Sequence, residues 1–228
     1  MLTTDPKLDT QSPSVEDYLV SIYRLQGKNH KVNTGELAQK MGVSAASTSA
    51  MFKKLRNKGL LNYHPYEGVD LTEKGMDIAI SVVRRHRIIE RFLTDVLEIS
   101  WDQVDRLAHQ MEHAFPDEVL DRLDAWLGGP ETCPHGYPIP MATGEVKERE
   151  GILLFDLQPG QSAIVVRVAE DDPNLLRYLK DCNLVPGSSI VIQKTNPVDG
   201  TMQLLVDQEE QVIGPRIAAS VTVMPSSD

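Results

Sequence analysis

The apolar positions near the start of the chain repeat at helical spacing and predict three helices. The first begins at Ser14, a suitable N-cap, and its apolar face comprises Val15, Leu19, Ile22, Tyr23 and Leu25. The second begins with Thr34 as its cap and stops at Gly42. The third starts at Val43-Ser44 and ends at Gly59. The turn between the second and third helices is short enough for a helix-turn-helix.

The pattern of apolar residues changes after Gly59, from helical spacing to short β-type runs. The stretch LLNYHPYEGVDLT predicts two short strands around a Pro-Tyr-Glu-Gly turn. A hairpin in this position would form a wing beside the third helix.

Helical spacing returns in the middle of the chain. It predicts one long helix from Thr72 through Glu98 and two more at Trp101 to Ala114 and Pro116 to Leu127, the last with proline in its first turn. This helical region is a candidate for dimerisation. The Gly- and Pro-rich stretch from Gly128 to Glu145 predicts a loop or linker.

The last third of the chain has a β pattern. Short β-rich runs alternate with turns such as Pro-Gly and Pro-Val-Asp-Gly, and a single helix is predicted near Asn174 to Leu179. The pattern favours a small β-barrel with one inserted helix.

Length and composition are those of a soluble globular protein. The 228 residues favour two domains, and no apolar run approaches the roughly 18 residues of a membrane span. The polar start differs from a signal peptide, so we expect a cytoplasmic protein. Cys133 and Cys182 lie far apart, which disfavours a disulfide framework and leaves a thiol or metal role open.

The net charge of −10 argues against nucleic acid, but its distribution reverses that impression. Residues 14–75 hold nine Lys/Arg against six Asp/Glu, which gives +3 and leaves −13 on the rest of the chain. Four of these cations could meet phosphates from one end of the candidate recognition helix: Lys53, Lys54, Arg56 and Lys58. The acidic remainder would oppose DNA binding until it is neutralised.

The third helix is rich in small residues. They would let its backbone approach a major groove, with lysines near phosphates. The predicted DNA-binding residues are Ser44, Ala46, Ser47, Ser49, Ala50, Lys53 and Lys54. The alternative is an exposed face of a helical pair within an enzyme or scaffold.

Side chains that bind metals recur at helical spacing. His86 and Glu90 share a face of the long helix, and His109, Glu112 and His113 share a face of a later one. Imidazole and carboxylate without sulfur favour Mn²⁺ or Fe²⁺, and Zn²⁺, Co²⁺ and Cd²⁺ would also bind in the test tube. For a single pair the alternative is a surface face or a salt bridge. Five such residues together favour a metal site.

Cys133 and His135 form a second cluster in the Gly/Pro-rich loop. A Cys-x-His pair can hold an ion with both side chains. The alternative is a buried cysteine beside a turn histidine.

Two rival functions remain at this stage. Histidine and carboxylate ligands also build hydrolytic metalloenzymes, but the chain has no HExxH, GxSxG or phosphate-loop motif, so we predict that it is not an enzyme. The other rival is a metal-independent winged-helix regulator that binds a small molecule or peptide in its β domain.

Several motifs together resemble the diphtheria-toxin-repressor family of metal-dependent repressors. They are EDYL, LAQKMGVS, KKLRNKGLL, LTEKG, RRHRIIERFL, MEH, DEVLDRL, PHGYPIP and a later PGS, and the resemblance covers nearly all of the chain after Ser14. It implies a mainly α fold with β: an N-terminal winged helix-turn-helix, a helical dimerisation domain and a C-terminal small SH3-like β-barrel. It also implies a metal corepressor that promotes binding of a homodimer to palindromic operators, with metal-transport genes as the expected targets.

On this resemblance, the expected boundaries are a flexible N-terminus at 1–13, a DNA-binding domain at 14–75 and a metal-binding and dimerisation domain at 76–140. A linker at 141–150 and an SH3-like (FeoA-like) domain at 151–226 complete the chain.

The resemblance also implies two metal sites. The primary site would use Asp17, His86, His109, Glu112 and His113. The second would use Glu90, Cys133, His135 and Asp172, with Glu170 or Asp171 as alternatives to Asp172. Iron-type members typically have Met and Cys at the Asp17 and His109 positions, whereas manganese-type members have Asp and Glu. Asp17 therefore favours Mn²⁺, and His109 fits neither pattern, so Fe²⁺ stays a close competitor.

Overall fold

The computed structural model describes residues 11–26, 30–170 and 172–226. They form two compact units. The first ends at Arg84 and also includes Ala142–Gly144, and the second contains Arg85–Met141 and the chain from Glu145 onward. The division falls inside a long helix, and the boundaries expected from the sequence stay a prediction. Most of the expected flexible N-terminus lies outside the described residues.

The first unit has the predicted helix-turn-helix and wing. Its elements are α1 (Pro13–Gln26), α2 (Thr34–Met41), α3 (Ala45–Asn57), β1 (Leu61–His64) and β2 (Gly68–Leu71). The two strands pair antiparallel, with Leu61 opposite Leu71. Leu19, Leu37 and Leu55 are fully buried, one from each helix, and anchor the core of this unit.

Two expected helix starts are wrong. α1 begins at Pro13, so Ser14 lies inside its first turn and does not cap it. Asn33, not Thr34, caps α2, because Asn33 is extended and its side chain accepts a hydrogen bond from the Glu36 backbone N–H at 2.9 Å. The third helix starts where expected: Ser44 is its N-cap and accepts a hydrogen bond from the Ser47 backbone N–H.

The long helix α4 (Glu73–Asp95) runs from the first unit into the second, where α5 (Trp101–Met111) and α6 (Asp117–Trp126) follow. α6 starts one residue later than predicted, because the backbone of Pro116 is extended and this residue is the N-cap. Among the helices that the structure describes, none is long and apolar enough to span a membrane.

The β domain belongs to the second unit. Its elements are β3 (Ile152–Leu153), a 3₁₀ turn (Leu154–Asp156), β4 (Ser162–Val168), α7 (Pro173–Asp181), β5 (Ser189–Thr195), β6 (Met202–Val206), β7 (Glu209–Ile213), α8 (Pro215–Ala218) and β8 (Val221–Pro225). The strands form one antiparallel sheet in the order β3-β8-β4-β5-β6-β7. The inserted helix was predicted; the single turn of α8 was not.

Trp101, the first residue of α5, lies in the hydrophobic core of this β domain. It is 7% exposed and shares that core with strand residues such as Val165 and Ile192. Asp102 adds an ion pair with Arg177 of α7, at 3.3 Å. The helical segment and the β domain therefore pack against each other within the second unit.

Candidate metal centre and DNA-binding surface

The exposed face of α3 and its N-cap, Ser44, carry all the residues predicted to contact DNA. Thr48, Phe52 and Leu55 are buried on the other side of the helix and fix its orientation in the first unit. The exposed residues include Ser44, Ala46, Ser47, Ser49, Ala50, Lys53 and Lys54. A face of small side chains flanked by lysines can approach a duplex closely.

The wing lies beside the end of this helix. The guanidinium of Arg56 lies 5.9 Å from the ring centroid of Tyr63 on β1. At the tip, Glu67 forms an ion pair with Lys31, which lowers the pKa of Glu67 through their hydrogen bond and opposite charges. This pairing reduces the negative charge that the wing would present to phosphates.

The carboxylate of Glu112 is the centre of the first cluster in the second unit. His86 Nδ1 lies 2.6 Å from one of its oxygens, and His109 Nδ1 lies 2.9 Å from the other. His113 Nε2 is 3.4 Å from that second oxygen. Glu112 is only 4% exposed, so three imidazoles surround a buried carboxylate. Four of the five residues expected at the primary site are thus brought together.

The fifth, Asp17, lies on α1 in the first unit and is half-buried. Its place in the ligand set stays a prediction.

The other ring nitrogen of His86, Nε2, faces a different set of carboxylates. His86 Nε2 lies 3.3 Å from Asp105 Oδ1 and 3.5 Å from Glu90 Oε1. Potential ligand atoms of these three residues lie within 4.8 Å of one another. His86 therefore contacts both the Glu112 cluster and Glu90, which the separate assignment of His86 and Glu90 to two sites did not anticipate. Asp105 was missed, although it lies one helical turn before His109 on α5.

The second predicted cluster contains Glu90, Cys133 and His135, joined by Glu170. His135 Nδ1 lies 3.3 Å from Glu90 Oε1 and 3.8 Å from Glu170 Oε2. All four residues are buried. Their potential ligand atoms lie within 4.8 Å of one another.

Asp172 does not belong to this cluster, which corrects the first choice made from the sequence. Its side chain caps α7 by accepting a hydrogen bond from the Asn174 backbone N–H at 2.9 Å. Glu170, two residues earlier, takes the expected place. Asp171, the other alternative, lies outside the described residues.

A hydrogen bond to the backbone of a distant residue orients His135 as a ligand. Its Nε2 lies 2.9 Å from the Trp101 carbonyl oxygen, which can only accept, so Nε2 carries a proton and donates it. In the neutral imidazole, Nδ1 then has the free lone pair that a metal needs, and it is Nδ1 that faces Glu90.

The buried charges shift the acid–base properties of both clusters. Burial opposes protonation of His86, but Asp105, Glu112 and Glu90 outweigh it and raise the pKa of His86 well above 6.5. Burial likewise opposes protonation of His135, while Glu90 and Glu170 raise its pKa. Burial raises the pKa of the Cys133 thiol, and the Glu90 and Glu170 charges raise it further. Without a metal, these sites therefore favour bound protons.

Several buried polar atoms indicate that the clusters suit a cation. In the part of the chain that the structure describes, both oxygens of Glu90, Nε2 of His86 and Nδ1 of His135 are buried and make no hydrogen bond with good geometry. Leaving such atoms unsatisfied costs about 1–3 kcal/mol each. A divalent ion would satisfy these atoms, so the residues fit a metal.

Comparison with known proteins matches the chain in three consecutive segments. Residues 11–69 match the model described as iron dependent repressor, N-terminal DNA binding domain, and residues 72–141 match iron dependent repressor, metal binding and dimerisation domain. Residues 152–225 match the FeoA domain. The iron-dependent repressor IdeR of Mycobacterium tuberculosis is 30% identical over 222 residues, which cover 92% of this chain and 96% of IdeR. The chain belongs to the diphtheria-toxin-repressor family.

Members of this family are metal-dependent, DNA-binding transcriptional repressors. The diphtheria toxin repressor of Corynebacterium efficiens is 32% identical over 162 residues, covering 69% of this chain and 70% of that repressor. Solved structures agree. A manganese-dependent transcriptional repressor in complex with manganese has a TM-score of 0.85 at 33% identity and covers 93% of this chain and 100% of its own. ScaR with bound Zn²⁺ has a TM-score of 0.77 at 31% identity, with coverages of 92% and 98%.

The family confirms the fold class predicted from the sequence, with its winged helix-turn-helix, helical dimerisation domain and SH3-like domain. It also confirms the prediction of a metal-dependent transcriptional regulator rather than a metal-independent one.

Proposed function

We propose that this regulator uses Mn²⁺ as its corepressor, with Fe²⁺ as a close competitor, and that the metal-loaded dimer binds palindromic operators of metal-transport genes. The observation that carries the proposal is the buried Glu112 carboxylate with His86, His109 and His113 around it. A cytoplasmic location and the absence of enzymatic activity accompany this proposal as predictions.

The primary ion would be held by His109, Glu112 and His113, with Asp17 supplied by the DNA-binding unit. Imidazole and carboxylate ligands without sulfur suit Mn²⁺ and Fe²⁺. His86 would contribute through the nitrogen that faces Glu112. Zn²⁺, Co²⁺ and Cd²⁺ would bind the same ligands in the test tube, because intrinsic affinity rises from Mn²⁺ towards the later metals of the series.

The second ion would be held by Glu90, Cys133, His135 and Glu170. Cys133 adds a soft sulfur ligand, so this site would accept Zn²⁺, Co²⁺ or Cd²⁺ more readily than the primary site does. Its ligands come from α4, from the loop after α6 and from the segment between β4 and α7. An ion there would hold the SH3-like domain against the helical segment.

The metal would act by favouring the DNA-binding form of the dimer. A ligand shifts a conformational equilibrium only by its differential affinity for the two states, and a near-complete reversal requires about 5.5 kcal/mol. An ion that joins Asp17 of α1 to the Glu112 cluster would restrict the positions open to α3. The added positive charge would also reduce repulsion between the acidic second unit and DNA.

A homodimer would present two copies of α3 to the two half-sites of a palindrome. In the helical segment of the second unit, Leu97, Val119 and Trp126 are exposed by 51%, 46% and 67%. Exposed apolar side chains of this size mark candidate contact surfaces. We propose that they contribute to the dimer interface.

The proposal is tested by ranking metals in a DNA-binding assay. A duplex selected from a random pool would be titrated with protein in the presence of Mn²⁺, anaerobic Fe²⁺ or Zn²⁺ at one fixed salt concentration. We expect the protein to bind the duplex in the presence of each ion. With Mn²⁺ or Fe²⁺, half-maximal DNA binding should occur at metal concentrations that a cell maintains. An assay in which only Zn²⁺ supports binding would refute the metal assignment while leaving the family function in place.

A further inference from the structure

The loop that carries Cys133 and His135 presses directly on β4. We call Thr132–Pro138 the ligand loop; its ends pair through a β-bridge, and the Gly136 backbone N–H donates to the Cys133 carbonyl. The Val168 N–H donates to the His135 carbonyl at 3.0 Å. A Cβ at Gly136 would lie 2.0 Å from the Val166 carbonyl oxygen. The backbone of the ligand loop therefore packs directly against the backbone of β4.

The strand has an irregularity at this contact. Its pairing with β8 shifts register between Val165 and Arg167, as in a β-bulge. Bulges redirect side chains locally, and they are common beside functional sites. Val166 is the extra residue, and Arg167, which follows it, places its guanidinium against the ligand loop.

Two cations meet at the ring of Tyr137, within the ligand loop. The guanidinium carbon of Arg87 lies 5.3 Å from the ring centroid, and that of Arg167 lies 5.2 Å from it. Arg87 comes from α4 and also donates to the Pro138 carbonyl, whereas Arg167 comes from β4. Arg87 is only 7% exposed, and cation–π attraction is strongest where water is excluded.

We propose that Tyr137 positions the ligands of the second metal site. Its ring would do this by holding both Arg87 of the helical segment and Arg167 of the SH3-like domain. The inference rests on the proposed second site. Tyr137 lies two residues from His135 and its carbonyl accepts from the Cys133 N–H at 2.9 Å, so ring and ligands share one short loop. Metal affinity at Cys133 and His135 and docking of the SH3-like domain then depend on the same contact.

The test compares Tyr137→Phe with Tyr137→Leu in the full chain. Phenylalanine keeps the ring face and leucine removes it. Co²⁺ bound by the Cys133 thiolate gives a sulfur-to-cobalt charge-transfer absorption, so a Co²⁺ titration reports this site separately from the sulfur-free primary site. We expect Tyr137→Phe to bind Co²⁺ nearly as the unsubstituted protein does, and Tyr137→Leu to bind about 10- to 100-fold more weakly at the thiolate site, the range found when residues supporting metal ligands are replaced.

Tyr178→Leu is the matched control, because Tyr178 lies on α7 of the same unit and is 40% exposed. It should leave the thiolate titration unchanged. Arg167→Gln should reproduce the effect of Tyr137→Leu, since it removes one of the two cations. Thermal unfolding of each metal-free variant shows whether the unit is folded.

Three outcomes would overturn the inference. If Tyr137→Leu lowers the unfolding temperature but leaves the thiolate titration unchanged, Tyr137 is structural only. If Tyr137→Phe loses as much affinity as Tyr137→Leu, the hydroxyl and not the ring positions the loop. If the unsubstituted protein shows no thiolate absorption with Co²⁺ while metal still promotes DNA binding, the second site and this inference fail and the corepressor function stands.

Discussion

Glu90 Oε1 lies 3.3 Å from His135 Nδ1, and both side chains are completely buried. The same oxygen lies 3.5 Å from Nε2 of His86, whose Nδ1 faces Glu112. One carboxylate oxygen therefore connects the two histidine clusters of the second unit. An ion bound to Glu90 would neutralise the negative charge that faces both imidazoles. We therefore expect metal binding at one site to change the metal affinity of the other.

Replacing Glu90 by glutamine should weaken metal binding at the thiolate site by at least about 10-fold, the lower end of the range for residues that only support a ligand, because a neutral amide is a poorer ligand than a carboxylate. It should also lower the pKa values of His86 and His135, since Glu90 raises both. The pKa values would be measured by NMR titration of the metal-free protein and the affinity by Co²⁺ absorption. Glu98→Gln, an exposed site just beyond α4, is the control. Unchanged Co²⁺ binding in Glu90→Gln would show that Glu90 is not a ligand.

Metal binding should weaken as the pH falls, because ions and protons compete for the same imidazoles. The pKa values of His86 and His135 lie above 6.5 in the metal-free protein, so the loss of affinity should begin at a pH above 6.5. Mn²⁺ titrations at several pH values would measure it, together with the protons released on binding.

The stability of the metal-free protein should show the opposite dependence. A raised histidine pKa contributes stability that is fully present below the unfolded-state pKa of 6.5 and is lost as the pH rises through the folded-state pKa.

In the metal titrations, an affinity that does not vary with pH over this range would contradict the assignment of both histidines as ligands.

Gly136→Ala should destabilise the second unit by about 2–4 kcal/mol, from a clash in a packed contact and a strained backbone. Gly136 has φ +91°, and an added Cβ would lie 2.0 Å from the Val166 carbonyl oxygen. Gly160→Ala separates the two causes, since Gly160 has a similar φ of +88° and nothing within 4 Å of an added Cβ. Thermal and denaturant unfolding would measure both. Equal destabilisation in the two variants would mean that the loop does not press on β4.

Lys53→Ala should weaken DNA binding about equally for all sequences and reduce the dependence of log affinity on log salt by about one unit, the value expected for one lost phosphate contact. Lys53 is exposed on α3, beside the small residues of the recognition face. Lys194→Ala on β5 of the SH3-like domain is a control with the same change of charge. Both would be measured by fluorescence anisotropy over a range of salt concentrations. An unchanged salt slope for Lys53→Ala would remove this lysine from the DNA interface.

Local sequence patterns predicted the helices, the wing and the β domain because each depends on the spacing of apolar residues and on nearby turn residues. The caps of α1 and α2 were misplaced because Ser, Thr, Asn and Pro compete at adjacent positions and the backbone decides between them. The same ambiguity affects Glu170 and Asp172, two acids in the segment between β4 and α7. Asp172 is adjacent to α7 and caps it, which leaves Glu170 beside His135.

Contacts between distant segments could not be predicted. Trp101 looks like the start of an ordinary amphipathic helix, but its ring belongs to the core of the SH3-like domain, and its carbonyl orients His135. Asp105 shares a helical face with His109, yet only the packing of α5 against α4 brings its carboxylate to His86.

The central claim is that metal bound around Glu112 enables DNA binding. The most direct test measures the affinity of the unsubstituted protein and of Glu112→Gln for one selected duplex, with chelator and then with saturating Mn²⁺, at fixed salt. We predict that Mn²⁺ increases the affinity of the unsubstituted protein at least 100-fold, roughly 2.8 kcal/mol, and that Glu112→Gln stays at the level seen with chelator. Equal affinity with chelator and with Mn²⁺, or a full response in Glu112→Gln, would contradict the account.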